Sequence, residues 1–437
     1  MPERTVILGG GITGLAVGLA SGAPVYEARQ TPGGICSSYY LRPGSSTRLP
    51  TAPEDGEAYR FEIGGGHWIF GGDPAVLAFI ESLTPMRRYN RQSAVFLPAL
   101  AQLIPYPLQY ALRDLPADTI KKALAEISRP AGPIVTMEDW LREHFGETLG
   151  ALFFAPFHQL YTAGLFTRIA PQDAYKSPID PERAREGAKP GAQAAGARVG
   201  YNTSYLYPAD GLDSLARALA ERCQVTFGKR AQAIDLTRKT VRFADGSAVA
   251  YDRLVSTLPL NRTLEMAGLA VASEVDPHSS VLVLNIGARK GKDCPKEHWI
   301  YVPESSSGFH RVGFYSNVDR HFTPRAAQAA GQHASLYIER SFPGSQRPGR
   351  DEIQAYSASV VRELQDWGFI EEAEAVDPTW IDVAYTWSLP ASRWREEALA
   401  ALVAEDVIMV GRYARWTFQG IADSLRDGLA VGATLRE

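Results

Sequence analysis

The chain has 437 residues, 45% of them hydrophobic and 22% charged, with 39 glycines and 29 prolines. At about three times the ~150 residues of a common single domain, it can bury large cores, and its ordinary composition excludes a disordered or collagen-like chain. Its 45 Lys and Arg against 49 Asp and Glu give a net charge of −4, without the basic excess of a nucleic-acid binder.

Cys36, Cys223 and Cys294 are too few and too scattered for a disulfide framework or a zinc cluster, and no metal is expected. No apolar run reaches the ~18 residues of a membrane span. An apolar run from Thr5 to the glycines at Gly9 leaves no room for a secretion signal. The expectation is a cytoplasmic protein with neither membrane nor nucleic-acid partners.

In chain order, Thr5–Leu8 reads as a buried parallel strand, Leu15–Ala20 as a helix and Pro24–Glu27 as a second strand, together a compact βαβ unit. Residues 40–60, rich in Pro, Ser, Thr and Gly, read as a loop or hairpin. From 75 to 200 the pattern is helical, with apolar three- and four-residue spacing in Ala75–Leu83, Asp118–Ile127 and Met137–Phe145. Thr136 followed by Asp139 predicts a helix cap. Residues 178–198 read as a mobile loop. Leu212–Arg222 is helical, and Asp245-Gly246 predicts a hairpin between Val241–Phe243 and Ala248–Tyr251. Leu254–Thr257 reads as a further strand. Ser280–Ile286, Trp299–Val302, Val312–Tyr315 and Ser335–Glu339 predict a separate antiparallel sheet. Ile353–Leu364 is helical, Val407–Val410 a last buried strand, and a final helix starts at Ile421.

The first strand runs into Gly9-Gly10-Gly11-Ile12-Thr13-Gly14, a GxGxxG motif. Gly9 permits the tight turn, Gly11 lets a pyrophosphate approach the backbone, and Gly14 lets helix and strand pack closely. The helix start, with Ile12 and Thr13, offers free N–H groups to phosphates. Glu27, followed by Ala28, stands 18 residues after Gly9, where a carboxylate can accept from a ribose diol. Arg29, Pro32, Gly33, Gly34 and Ser37 form a second Gly-rich turn. That segment resembles FAD proteins of the amine-oxidase and glutathione-reductase lineage. Near the C-terminus, Gly411-Arg412 follows the last strand, and the final helix carries Asp423 and Ser424 in its first turns. In such flavoproteins this helix points its N-terminus at the flavin, where its dipole favours negative charge.

Further segments resemble the UDP-galactopyranose mutase family, its eukaryotic-type branch above all, within the amine oxidase and protoporphyrinogen oxidase-like superfamily. Phe61 to Phe70, containing Gly64-Gly65-Gly66-His67, is similar to that family's loop over the flavin. Pro105-Tyr106-Pro107-Leu108-Gln109 is similar to its uridine-binding segment, and Tyr301 and Arg311, ten residues apart, to its tyrosine and diphosphate-binding arginine. The resemblance implies an α/β fold. A discontinuous Rossmann-like FAD-binding domain (1–90, 205–270, 400–437) would hold an inserted helical substrate-binding domain (91–204) and an antiparallel-sheet substrate domain (271–399).

The resemblance also implies function. Reduced FAD would attack the anomeric carbon of a nucleotide sugar through N5 and interconvert its pyranose and furanose forms, with NAD(P)H as a candidate reductant. FAD would contact Gly9, Gly11, Ile12, Thr13, Gly14, Glu27, Ala28, Gly33, Gly34, Ser37, Gly65, Gly66, Gly411, Arg412, Asp423 and Ser424. His67, Arg311 and Arg183 are the candidate catalytic residues, with Arg185 the alternative to Arg183. Tyr106, Gln109, His158, Tyr301, Trp387 and Phe418 are the candidate substrate contacts. Three of these depart from the family. Trp387 and Phe418 stand where mutases have tyrosines, and His158 where they have asparagine, so the nucleotide, sugar or leaving group is expected to differ. The competing readings are an FAD oxidase of the amine or protoporphyrinogen type and an inactive flavin-binding protein.

Overall fold

The computed structural model describes residues 4–127, 132–172, 180–191 and 203–436. Five parallel strands form one sheet in the order Val225–Thr226, Val25–Tyr26, Thr5–Leu8, Arg253–Ser256, Val407–Met409. Their centres are apolar, as in Val6–Leu8, Leu254–Val255 and Val407–Met409, because both faces are covered. The helices Ile12–Ser21 and Ile421–Thr434 pack together against it. A small antiparallel sheet of Ala231–Asp235, Thr240–Phe243 and Ala248–Ala250 contains the hairpin expected at Asp245-Gly246.

The second large layer is a seven-stranded sheet. Its order is Ile370–Thr386, His278–Lys290, His333–Pro343, Arg311–Phe314, Trp299–Tyr301, Ser93–Leu97, Gln102–Pro105, and it is antiparallel except where Trp299–Tyr301 meets Ser93–Leu97. The four antiparallel strands expected from sequence are all here. The helices expected at 75–83, 118–127 and 137–145 are found as Pro74–Leu83, Ala117–Ile127 and Met137–Leu149. The last opens with a reciprocal Thr136–Asp139 capping box. All three cysteines are free, and no helix among the described residues is long and apolar enough to cross a membrane.

Three features differ from the sequence reading. The helical stretch 75–200 contains the strands Met86–Asn90, Ser93–Leu97 and Gln102–Pro105. In Ser93–Leu97, Ala94 and Phe96 face one core while Val95 and Leu97 face another, so no polar alternation marks the strand. The 17-residue strand Ile370–Thr386 is not foreseen either, because it alternates with glutamates and carries Pro378. It is an edge strand, the one place in a sheet where proline is tolerated. Finally, the segment expected as a loop over 178–198 holds the helix Pro181–Gly187. Asp180 caps it, accepting from the N–H groups of Glu182 and Arg183 at 3.0 and 3.3 Å. Residues 178–179 and 192–198 lie outside the described ones.

Behind the loop after Tyr59–Glu62, the fully buried Glu62 accepts from Ser38 Oγ at 2.8 Å and from the Tyr207 hydroxyl, while its Oε2 has no partner. Burial drives its carboxyl up to about 7, against the pull of Tyr207 and Arg60. An unfolded glutamate titrates at 4.5. Between those values the native state therefore keeps a proton that the unfolded chain releases, and stability falls as pH rises through the window. Glu62→Gln keeps the acceptor for Ser38 and Tyr207 and removes the ionisation. Its melting temperature relative to the parent should climb between pH ~5 and ~8. Thermal unfolding of the holoprotein checks this, and a flat difference would show that Glu62 does not carry the proton.

Candidate functional site

A cavity of about 770 Å³ lies between the two large sheets. Residues just past the carboxyl ends of four parallel strands line it: Gly9 and Gly11, Glu27 and Ala28, Thr257 and Leu258, Gly411 and Arg412. This is where open α/β sheets bind ligands.

Its dinucleotide half is built from the GxGxxG turn. Gly11 caps the helix Ile12–Ser21 with no side-chain hydrogen bond, so the first helical N–H groups are left for a ligand. A Cβ on Gly11 would meet no protein atom within 4 Å, whereas one on Gly14 would collide with the Gly9 carbonyl. The two glycines therefore do different work: Gly14 sits outside the cavity and closes the strand–helix contact, and Gly11 keeps space clear. Glu27, 7% exposed, accepts from the N–H groups of Gly10 (2.6 Å) and Arg29 (2.8 Å), which fixes its carboxylate at the cavity wall. Gly33 pairs with Gly11, and Gly34 continues the wall.

The middle of the cavity is bounded by Gly64, Gly66 and His67, by Cys36, and by the uncapped start of the C-terminal helix at Gly420. A Cβ on Gly66 would collide with the Tyr337 ring, so the loop lies flat against the antiparallel sheet. Burial, helped by Arg412, pushes the His67 imidazole down to about 4, and it is neutral at physiological pH.

At the far end, Arg311 and Glu339 sit opposite each other on adjacent strands. Arg311 Nη2 donates to Glu339 Oε1 at 2.6 Å and Nε donates to Oε2 at 3.1 Å. Glu339 is 2% exposed. Burial opposes its charge, but Arg311 and His310 outweigh burial and hold the carboxyl at about 2. The surrounding wall is aromatic. Tyr106 packs on Tyr301 (centroids 4.7 Å apart), Phe157 edges Tyr301 (5.4 Å), and Tyr161 edges Tyr385 (4.8 Å) and Trp387 (5.4 Å).

The cavity gathers most of the expected residues from distant parts of the chain: Gly9, Gly11, Ile12, Thr13, Glu27, Ala28, Gly33, Gly34, Gly66, His67, Tyr106, His158, Tyr301, Arg311, Trp387, Gly411, Arg412, Phe418 and Ser424. Others do not line it. Ser37 and Gln109 are buried behind the wall. Gly65 packs under Glu339, whose Oε1 would lie 2.9 Å from a Cβ there. Asp423 pairs instead with Arg426 at 3.5 Å.

Arg183 is on the exposed face of its short helix, paired with Asp180 at 3.3 Å, and Arg185 is paired with Glu182. Neither lines the cavity, so their position gives them the solvated surface pairing that any arginine on a polar helix face adopts. Trp387 does line it, but its indole N–H donates to Ser279 Oγ at 3.2 Å and is not offered to a ligand. His158 Nδ1 lies 2.6 Å from the Phe154 carbonyl. Sequence reasoning passed over Glu339, Tyr385, His310 and Tyr161. For Glu339 a signal exists: a carboxylate directly after the apolar run Leu336–Ile338 of its strand.

Comparison with known proteins defines the class. A model of the flavin containing amine oxidoreductases matches residues 24–272, more than half of the chain, and the chain belongs to that family. Its cofactor is FAD, which the open Gly11, the uncapped helix starts and the fixed Glu27 carboxylate all suit. In fold it is similar to a reduced UDP-galactopyranose mutase, 22% identical over 98% of this chain and 94% of that one, with a TM-score of 0.80. It is also similar to a putrescine oxidase bound to putrescine (15% identity, 99% of each chain, TM-score 0.57). A fatty acid isomerase from P. acnes that produces CLA is a further relative in fold (14% identity, 98% and 97%, TM-score 0.54).

Gly11→Val should fold and melt near the flavin-free parent but bind no flavin, because its side chain enters empty space on the protein side and fills the approach to the pyrophosphate. The absorbance of flavin released on denaturation measures this. A yellow Gly11→Val protein would place the cofactor elsewhere.

Proposed function

We propose that this flavoenzyme interconverts the pyranose and furanose forms of a nucleoside-diphosphate sugar, using FAD in its reduced state. The observation that carries this reading is the charge of the cavity. Among the described residues its wall has six arginines (Arg29, Arg91, Arg230, Arg311, Arg347, Arg412) against three carboxylates (Glu27, Glu339, Asp382), and no lysine. The FAD pyrophosphate accounts for part of that surplus. What remains favours an anionic second ligand and disfavours a cationic amine, the substrate class of the amine-oxidase form of the alternative reading.

Reduced FAD supplies the nucleophilic nitrogen. The chain supplies the rest. Arg311 offers a planar fork that suits phosphate oxygens, and the hydroxyls of Tyr301 and Tyr385 stand beside it as neutral donors. Glu339 orients the fork from behind. The aromatic wall of Tyr106, Phe157 and Tyr301 excludes water and offers flat faces to a base. His67, neutral at the cofactor loop, exchanges hydrogen bonds without adding charge.

Dithionite-reduced enzyme incubated with a panel of nucleotide sugars should yield a ring isomer separable by chromatography, without net oxygen consumption, and oxidised enzyme without reductant should not. Turnover that consumes oxygen and reduces the flavin would establish the oxidase instead. Arg311→Lys keeps the charge but loses the fork. With charged hydrogen bonds contributing ~1.5–3 kcal/mol each, turnover should fall ~10- to 150-fold with FAD retained. Arg311→Ala is the poorer test, because stranding a buried carboxylate costs about 3–5 kcal/mol of stability. Near-normal isomerisation by the lysine variant would remove Arg311 from the site.

A further inference from the structure

His310, next to Arg311, is 1% exposed and lies in the cavity wall. Its ring is held between Phe157 (centroids 6.0 Å apart) and Tyr161 (5.3 Å). Neither ring nitrogen has a hydrogen-bond partner, and Nε2 is 3.6 Å from Glu339 Oε2, just beyond bonding distance. An imidazole buried without partners is costly, so natural structures rarely keep one without a use. The use follows from Glu339. Both acidic oxygens are taken up by Arg311, and the Tyr385 hydroxyl adds a 3.3 Å contact. An anionic ligand on Arg311 shares the guanidinium charge that compensates Glu339. A carboxylate 2% exposed then loses compensation, and the His310 imidazole, already facing it at 3.6 Å, is placed to close on it.

We propose that His310 is a positioning residue for the anion anchor: its Nε2–H closes on Glu339 when the Arg311 guanidinium is shared with the substrate anion, and so lowers the cost of loading the site. This rests on the reading of Arg311 as the diphosphate anchor. It differs from a packing role in what would replace the histidine. Phenylalanine fills the space between Phe157 and Tyr161 and donates nothing. Glutamine fills less of it but carries an N–H at about the same reach.

The test is calorimetric binding of UDP to the reduced holoenzyme. His310→Phe should keep FAD and weaken UDP roughly tenfold or more, the loss of one hydrogen bond to a charged group, while His310→Gln should bind within about threefold of the parent. In a Glu339→Gln background, His310→Phe should cost little further, since the charge it serves is gone. That coupling holds even if the single variant is less stable. Parent-like UDP binding by His310→Phe overturns the proposal. So does equal weakening by Phe and Gln, or an equal effect of His310→Phe in both backgrounds. A parent holoenzyme that retains FAD but binds none of UDP, dTDP, GDP and ADP overturns the diphosphate reading itself, and the role of His310 with it; where another of these binds in place of UDP, the same variants are compared on it.

Discussion

Arg311 and Glu339 meet where the flavin loop touches the antiparallel sheet, and much of the cavity is arranged around their ion pair. Glu339 lies under Gly65 on one side and faces Arg311 across the strand pairing on the other. A buried carboxylate is tolerated only with strong compensation, and here the guanidinium supplies it bidentately. The pair is therefore weak evidence for stability and better understood as a placement device: it fixes a cation at the sheet surface beside the loop that carries His67. The aromatic walls keep water away from it, so its field reaches further than it would in solvent.

The same constraint explains the glycines of the loop. Any side chain at Gly65 would displace the Glu339 carboxylate, and one at Gly66 would displace Tyr337. The loop can lie against the sheet only without side chains, and lying there it connects the flavin side of the cavity to the anchor. The cofactor side of the cavity and the proposed substrate end thus share one wall, and a change in the loop bears directly on the carboxylate that faces Arg311.

The cofactor half was legible in the sequence because its chemistry is local. A strand, GxGxxG, a helix, a second strand and Glu27 fall within some twenty residues, and each glycine has a backbone reason that spacing alone reveals. The substrate half is not local. Glu339 comes from one strand, Arg311 from another, Tyr161 from a helix and Tyr385 from an edge strand whose glutamates and Pro378 hide its period. Ser93–Leu97 is concealed for the opposite reason, being buried on both faces. Arg311 was identified by its neighbours in sequence, but its partner could be seen only when the strands were paired. Arg183 stands on a short helix where composition suggests a loop, because a polar helix face and a loop look alike in sequence; the Asp180 cap and pairing mark the helix.

The positions that depart from the mutase pattern follow one physical logic. Trp387 turns its N–H to Ser279 and gives the cavity only its ring, and Phe418 lies 4.6 Å beneath the Arg412 guanidinium. Arg412 is also near the rings of Tyr413 and Tyr385, at 5.5 and 5.9 Å. Where a tyrosine hydroxyl would donate to an anion, a phenyl face instead supports a cation. On the proposed function, the Phe418 exchange moves part of the burden of holding negative charge from a neutral hydroxyl to Arg412. An arginine-borne anion site gains more from each unit of ligand charge and discriminates less among arrangements of neutral acceptors. On the proposed function, selectivity in this enzyme then comes from the charge of the leaving group and the stacking of its base, with little read from hydroxyl contacts to the phosphates.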